Sequence, residues 1–192
     1  MKKILLLAML SFGLNTSVLA DTIDTYKKAC DLNDSLGCLD LGLMYLSGKG
    51  VKQDDFKAVE YFQKACGLNE GYSCFILGNM YRKGGVLLKQ SDFKAVEYYQ
   101  KACGLNKGSG CANLGGMYVR GKGVKQSEFK AVEYYQKACD LDSNLGCANL
   151  GTMYKHGKGV RQSNAQALEY YGKACDLKGQ LGCKFYAQLK KK

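Results

Sequence analysis

The chain has 192 residues, a formal net charge of +11, ten cysteines, one histidine and no proline. That length suits one domain with a continuous core. One histidine is too few for a histidine-built metal site, and a basic balance favours acidic partners.

The first predicted segment is a secretory signal, residues 1–20. Lys2 and Lys3 open it, Ile4 to Phe12 form a short apolar run, and Val18-Leu19-Ala20 ends it at a cleavage site. The run is too short to span a bilayer, and Asp21 follows where a lipid anchor would need cysteine. Cleavage removes two lysines and no acids, so the net charge falls from +11 to +9. Export to the periplasm or the cell exterior excludes nucleic acid as a partner. It leaves envelope polymers, anionic glycans, anionic lipids and acidic proteins.

From Asp21 onward the chain repeats. The cysteines pair as Cys30/Cys38, Cys66/Cys74, Cys103/Cys111, Cys139/Cys147 and Cys175/Cys183, each with a spacing of 8. From pair to pair the steps are 36, 37, 36 and 36 residues, the signature of a solenoid built from one supersecondary unit. One half of the unit reads Gly37-Cys38-Leu39-Asp40-Leu41-Gly42-Leu43-Met44-Tyr45 and returns at 73–81, 110–118 and 146–154. Cysteine, leucine, glycine and tyrosine fall at i, i+3, i+4 and i+7, one face of a helix, here helix A. A turn follows, Gly48-Lys49-Gly50-Val51 and its copies at 121–124 and 157–160. Glycine supplies the left-handed backbone that ends a helix. The second copy is Gly84-Gly85-Val86-Leu87-Leu88, which accounts for the longer step.

The other half, helix B, runs from Asp55 to Cys66 and recurs at 92–103, 128–139 and 164–175. Phe56, Val59, Phe62 and Cys66 are expected to form its inner face. Ser163 with Gln166 fits a capping box. A Glu stands four residues before a Lys in each copy, from Glu60/Lys64 to Glu169/Lys173, as a surface helix prefers. The expected domain is a single solenoid over 21–192. Its hairpins fall at about 37–66, 73–103, 110–139 and 146–175, closed by helices at 22–30 and 182–190. Gly42, Gly78, Gly115 and Gly151 inside helix A cost helix propensity. They therefore imply a close contact, with Tyr45, Tyr81, Tyr118 and Tyr154 as the natural aromatic partners.

Two disulfide schemes fit. Pairing within a hairpin orphans Cys30 and Cys183. Pairing the end of helix B with the start of the next helix A uses all ten, and it is the scheme expected. Zinc prefers closer cysteines with histidine nearby, so no metal is expected, and no cofactor.

The string Leu114-Gly115, Tyr118, Gly121, Gly123-Val124, Lys130-Ala131, Tyr134 and Lys137-Ala138 resembles the Sel-one-like repeat, a relative of the tetratricopeptide repeat. With paired cysteines and a signal, the chain resembles the Helicobacter cysteine-rich protein family. The resemblance implies an all-α superhelix of cross-linked hairpins. It also implies penicillin binding or slow β-lactamase activity, contact with host proteins, or an adaptor role in a concave groove.

No catalytic residue is assigned. Ser91-Asp92-Phe93-Lys94 and Ser127-Glu128-Phe129-Lys130 match the first motif of serine β-lactamases, but Ser-Asp-Asn and Lys-Thr-Gly are missing. Both serines also stand where helix B needs a cap. His156 reads as a helix-end residue. The expected binding positions are those of helix A that vary between repeats: Asp40, Leu43 and Ser47, then Ile76, Asn79 and Lys83, and so on along the chain. If helix A forms the inner wall, Asn79, Arg82, Lys83, Asn113, Arg120, Asn149, Thr152 and Lys155 offer amides and cations to a glycopeptide, a β-lactam-like molecule or a peptide bearing carboxylates.

Overall fold

The computed structural model describes residues 22–85 and 88–191. The expected signal lies outside them, as do Val86 and Leu87 of the longer loop. The described residues form helices and no strand. Helix α1 covers 22–31. It is followed by α2 (Ser35–Ser47), α3 (Asp55–Gly67), α4 (Gly71–Lys83), α5 (Asp92–Gly104), α6 (Gly108–Arg120), α7 (Glu128–Asp140), α8 (Asn144–His156), α9 (Asn164–Asp176) and α10 (Gln180–Lys190). The fold class is a superhelix of α/α hairpins with disulfides at the repeat ends. The chain divides into two compact units, one ending at Glu70 and one beginning at Gly71.

Each hairpin is closed by the same short-range bonds. Helix A ends on a left-handed glycine: Gly48 in α2, Gly121 in α6 and Gly157 in α8. The chain then returns so that the residue capping helix B donates its N–H to the carbonyl of the helix A tyrosine. Asp54 does so to Tyr45, Ser91 to Tyr81, Ser127 to Tyr118 and Ser163 to Tyr154, at 2.9–3.0 Å. This bond corrects the expected capping box at Ser163. Its hydroxyl accepts from the Gln166 N–H at 3.2 Å, but its own N–H already has Tyr154, so Gln166 need not reach back.

Helix B passes to the next helix A through one residue of positive φ, such as Asn106 at 58° or Asp142 at 56°. Short polar side chains tolerate this conformation. Lys107 N–H then bonds the Ala102 carbonyl at 2.9 Å, the wrap of a Schellman turn. The turn aims the two cysteines at each other. Cys30–Cys38 lies in the first unit, and Cys103–Cys111, Cys139–Cys147 and Cys175–Cys183 lie in the second, with Cα–Cα distances of 4.4–4.6 Å. Cys66 and Cys74 are also disulfide-bonded, and no cysteine among the described residues is free.

In the first unit, Cys30, Cys38, Leu41 and Ala65 form the core under Ile23, Tyr26 and Tyr61. In the second, a continuous core runs from Tyr81 to Ala174 through Tyr99, Leu114, Met117, Tyr135 and Leu150. Two sequence expectations need correction. Phe56 does not face inward: it is 67% exposed, and Phe93 and Phe129 match it at 65% and 64%. The Glu–Lys spacing also produces no bond at Lys64, which reaches Asp31 at 3.8 Å instead of Glu60.

Candidate functional site

The glycines inside helix A are notches for aromatic rings. A Cβ on Gly78 would stand 2.6 Å from the Tyr99 ring, and one on Gly115 or Gly151 would stand 2.7 Å from Tyr135 or Tyr171. The partner rings are therefore those of helix B, not the helix A tyrosines expected from sequence. Tyr45, Tyr81, Tyr118 and Tyr154 have another role. They stack on Tyr61, Tyr98, Tyr134 and Tyr170 at 5.4–5.5 Å.

Each ring wedged in a notch carries its para position to the variable face of helix A. What it meets there is set by the residue directly after the notch glycine. In the first unit that residue is Leu43 and the ring is Phe62, so both partners are apolar. A cleft of about 290 Å³ opens beside Leu43, lined also by Tyr26, Asp40, Met44, Ser47 and Lys49. Burial, and then the charge of Asp34, pushes the Asp40 carboxyl above its ordinary pKa.

In the second unit the rings are tyrosines and the face is polar. Tyr99 donates its hydroxyl proton to Asn79 Oδ1 at 2.8 Å and accepts from Arg82 Nε at 3.2 Å. Asn113 Nδ2, one repeat later, donates to the same Asn79 oxygen at 3.1 Å. The structure thus joins Asn79, Arg82 and Asn113 through Tyr99. Gly116 stands in the place of Asn79 in the next repeat. Its bare Cα leaves room for Arg120: an added Cβ would come 3.2 Å from Arg120 Nη2 and 3.6 Å from the Tyr135 hydroxyl. In the last hairpin Thr152 takes this place. Its Oγ1 donates to the Ala148 carbonyl at 2.9 Å, so Tyr171 must supply the proton of the 3.1 Å bond between the two hydroxyls.

These phenols are held neutral. Burial pushes Tyr135 up to about 12, with Arg120 pulling the other way. Burial also raises Tyr99, and the bond and charge of Arg82 offset part of the rise. The neutral, bonded phenol of Tyr99 fixes the guanidinium of Arg82 without neutralising it. Among the described residues its terminal nitrogens have no protein partner, and they can take a carboxylate in two parallel bonds. Helices α4, α6 and α8 stand side by side, so this face continues along the second unit. Asn149 and Lys155 are half-buried on α8, outside the bonded cluster, while Lys83 and His156 are exposed at the helix ends.

The Ser-x-x-Lys matches resolve as caps. Ser91 Oγ accepts from the Lys94 N–H and Ser127 Oγ from the Lys130 N–H, both at 3.2 Å. The first hairpin carries Asp54 in this place, which caps Phe56 and Lys57 at 3.1 Å and has no hydroxyl to offer a substrate. The pattern therefore follows helix capping. The lysine ammonium groups lie over aromatic rings: Lys57 over Tyr45, Lys94 over Tyr81 and Lys130 over Tyr118, at 5.1–5.4 Å. Each of these three hairpins thus stacks a cation, a helix A tyrosine and a helix B tyrosine. Sequence reasoning missed this ladder. Its signal was the shared recurrence of the helix A tyrosine with Lys-Ala-Val-Glu-Tyr, broken at Gln166 in the last copy.

This architecture defines a helical-repeat protein. The Sel1 repeat model matches residues 35–70, 71–107, 108–143 and 145–178, and the chain belongs to the Sel1 repeat family. It is 40% identical to Helicobacter pylori cysteine rich protein B, with 70% of this chain and 96% of that one covered and a TM-score of 0.56. A protective antigen of uropathogenic Escherichia coli displaying this fold shares 30% identity over 86% of this chain, with a TM-score of 0.79. A Sel1 repeat protein from Oxalobacter formigenes matches at 22% identity over 85% of this chain, with a TM-score of 0.78. The chain spans 35% of the E. coli protein and 65% of the Oxalobacter one. No curated protein matches it. Sel1 repeats are protein-interaction modules. Among the described residues no helix is long and apolar enough to cross a membrane, and the disulfides are consistent with a secreted or periplasmic protein.

Proposed function

We propose that the chain is an exported binding module, its signal cleaved after Ala20. On this reading the α4–α6–α8 face takes an extended ligand bearing a carboxylate. Envelope glycopeptides, β-lactam-like molecules and segments of host proteins have that chemistry. The observation that carries the reading is Arg82, held through Nε by a buried tyrosine, its other nitrogens without a partner among the described residues. Asn79, Asn113 and Arg120 supply amide and cationic groups beside it, and Asn149, Thr152, Lys155 and Lys83 extend the face. The alternative, slow opening of β-lactam amides, rests on family resemblance, and the two serines with a matching motif serve as caps.

Calorimetric titration with penicillin G and with a soluble muropeptide tests the proposal. Arg82→Ala is expected to weaken binding about tenfold, the worth of a charge-assisted hydrogen bond. Tyr99→Phe, which removes the hydroxyl that holds Arg82, is expected to weaken it less. Lys184→Ala on α10 should bind like the parent. Equal affinity in Arg82→Ala and the parent, or no binding of either probe, contradicts the proposal.

A further inference from the structure

The second unit carries another surface, at the N-terminal ends of α5 and α7 and the glycine turns that meet them. Phe93 and Phe129 occupy the second position of α5 and α7 and are 65% and 64% exposed. Helical spacing would direct them inward, but the turn of the following repeat packs beside them. A Cβ at Gly123 would collide with the Asp92 carbonyl and stand 2.9 Å from the Phe93 nitrogen. Gly159 rests in the same way against Glu128 and Phe129. The backbone of each glycine turn packs against the start of the helix, and the phenyl ring is exposed.

The turns that pack against the backbone beside each ring carry cations. Lys122 and Lys125 flank Gly123 beside Phe93, and Lys158 and Arg161 flank Gly159 beside Phe129, all four exposed. Asp92 and Glu128 subtract one charge each, and one carboxylate oxygen of Asp92 is buried. Each ring still keeps a cationic excess. In the first unit Phe56 is likewise exposed, at 67%.

We infer that Phe93 and Phe129, with Lys122, Lys125, Lys158 and Arg161, dock the second unit onto an anionic lipid surface. The rings protrude from helix ends, and a protruding ring needs a soft partner into which it can sink. Interfacial proteins pair buried apolar groups with lysine and arginine held at anionic headgroups in this way. Exposed lysines and an arginine spread over two repeats suit a diffuse sheet of charge better than one fixed acidic protein.

Flotation of the full oxidised mature chain with vesicles tests the inference. The vesicles are phosphatidylcholine alone, or phosphatidylcholine and phosphatidylglycerol at about three to one. The parent is expected to float with the anionic vesicles and not with the neutral ones. Phe93→Ala with Phe129→Ala should lose at least about tenfold in partitioning, from lost apolar burial. Lys122→Glu with Lys125→Glu should lose at least about fivefold, while Lys184→Glu should change little. Circular dichroism of each variant establishes that the helices persist. Three results would overturn the inference: no flotation with anionic vesicles, full flotation of the double phenylalanine variant, or a loss at Lys184→Glu as large as at Lys122→Glu with Lys125→Glu. Capture of an acidic protein on these residues without vesicle binding would also overturn it.

Discussion

Replacing Cys139 and Cys147 together by alanine is expected to destabilise the protein by roughly 3 kcal/mol. The loop-entropy model gives about 2.5 kcal/mol for a crosslink between residues 8 apart, and the rest comes from lost packing. Both cysteines are fully buried, so the alanines leave space that neighbouring helices fill only in part. Five such bridges together amount to an order of 10 kcal/mol, comparable with the whole stability of an ordinary domain. Dithiothreitol at neutral pH should therefore unfold a chain that is stable when oxidised. Denaturant melts of the double variant and of the reduced parent check both statements. An unchanged midpoint in either would show that packing alone holds the hairpins.

Gly110→Val is expected to cost about 3 kcal/mol or more. Gly110 precedes the second cysteine of a bridge, where the Cα atoms of Cys103 and Cys111 come within 4.6 Å. A Cβ there would stand 2.6 Å from Ala102 Cβ and 3.1 Å from the Cys103 nitrogen. One neighbour is a methyl with no rotamer to escape into and the other is backbone, so the helix ends must separate. Gly37 meets Ala29 in the first unit at 2.7 Å, and Gly182 meets Ala174 in the second at 2.5 Å. Gly104→Val is the control, because beyond its own helix no atom lies within 4 Å of an added Cβ there. Chemical unfolding of the two variants should separate them clearly. Equal losses would mean that the close approach at Gly110 has no energetic weight.

The helices and turns were legible because the repeat averages away local ambiguity. A single Leu-Gly-x-Met-Tyr is weak, whereas copies at 41, 77, 114 and 150 fix phase, length and face together. The ring contacts were not legible, because both tyrosines of a hairpin repeat in step and periodicity cannot decide which enters the notch. Packing decides it: Tyr99 lies across Gly78, while Tyr98 stacks on Tyr81. The outward turn of Phe56, Phe93 and Phe129 was hidden for a related reason. In the second unit glycine backbones from another repeat pack against the helix starts that carry Phe93 and Phe129, and bare backbone leaves no hydrophobic mark in a sequence. The polar face was half legible. Variation from repeat to repeat marked Asn79, Asn113, Arg120 and Thr152. The tyrosine hydroxyls that organise them belong to residues that read as core.

Native mass spectrometry of the oxidised mature chain with penicillin G tests most directly whether the helix A face holds a carboxylate ligand without reacting with it. The expected result is a one-to-one complex that disappears when the same sample is denatured. Failure to form a complex with penicillin G and with a soluble muropeptide alike, or a penicilloyl adduct on Ser91 or Ser127 that survives denaturation, would contradict the account.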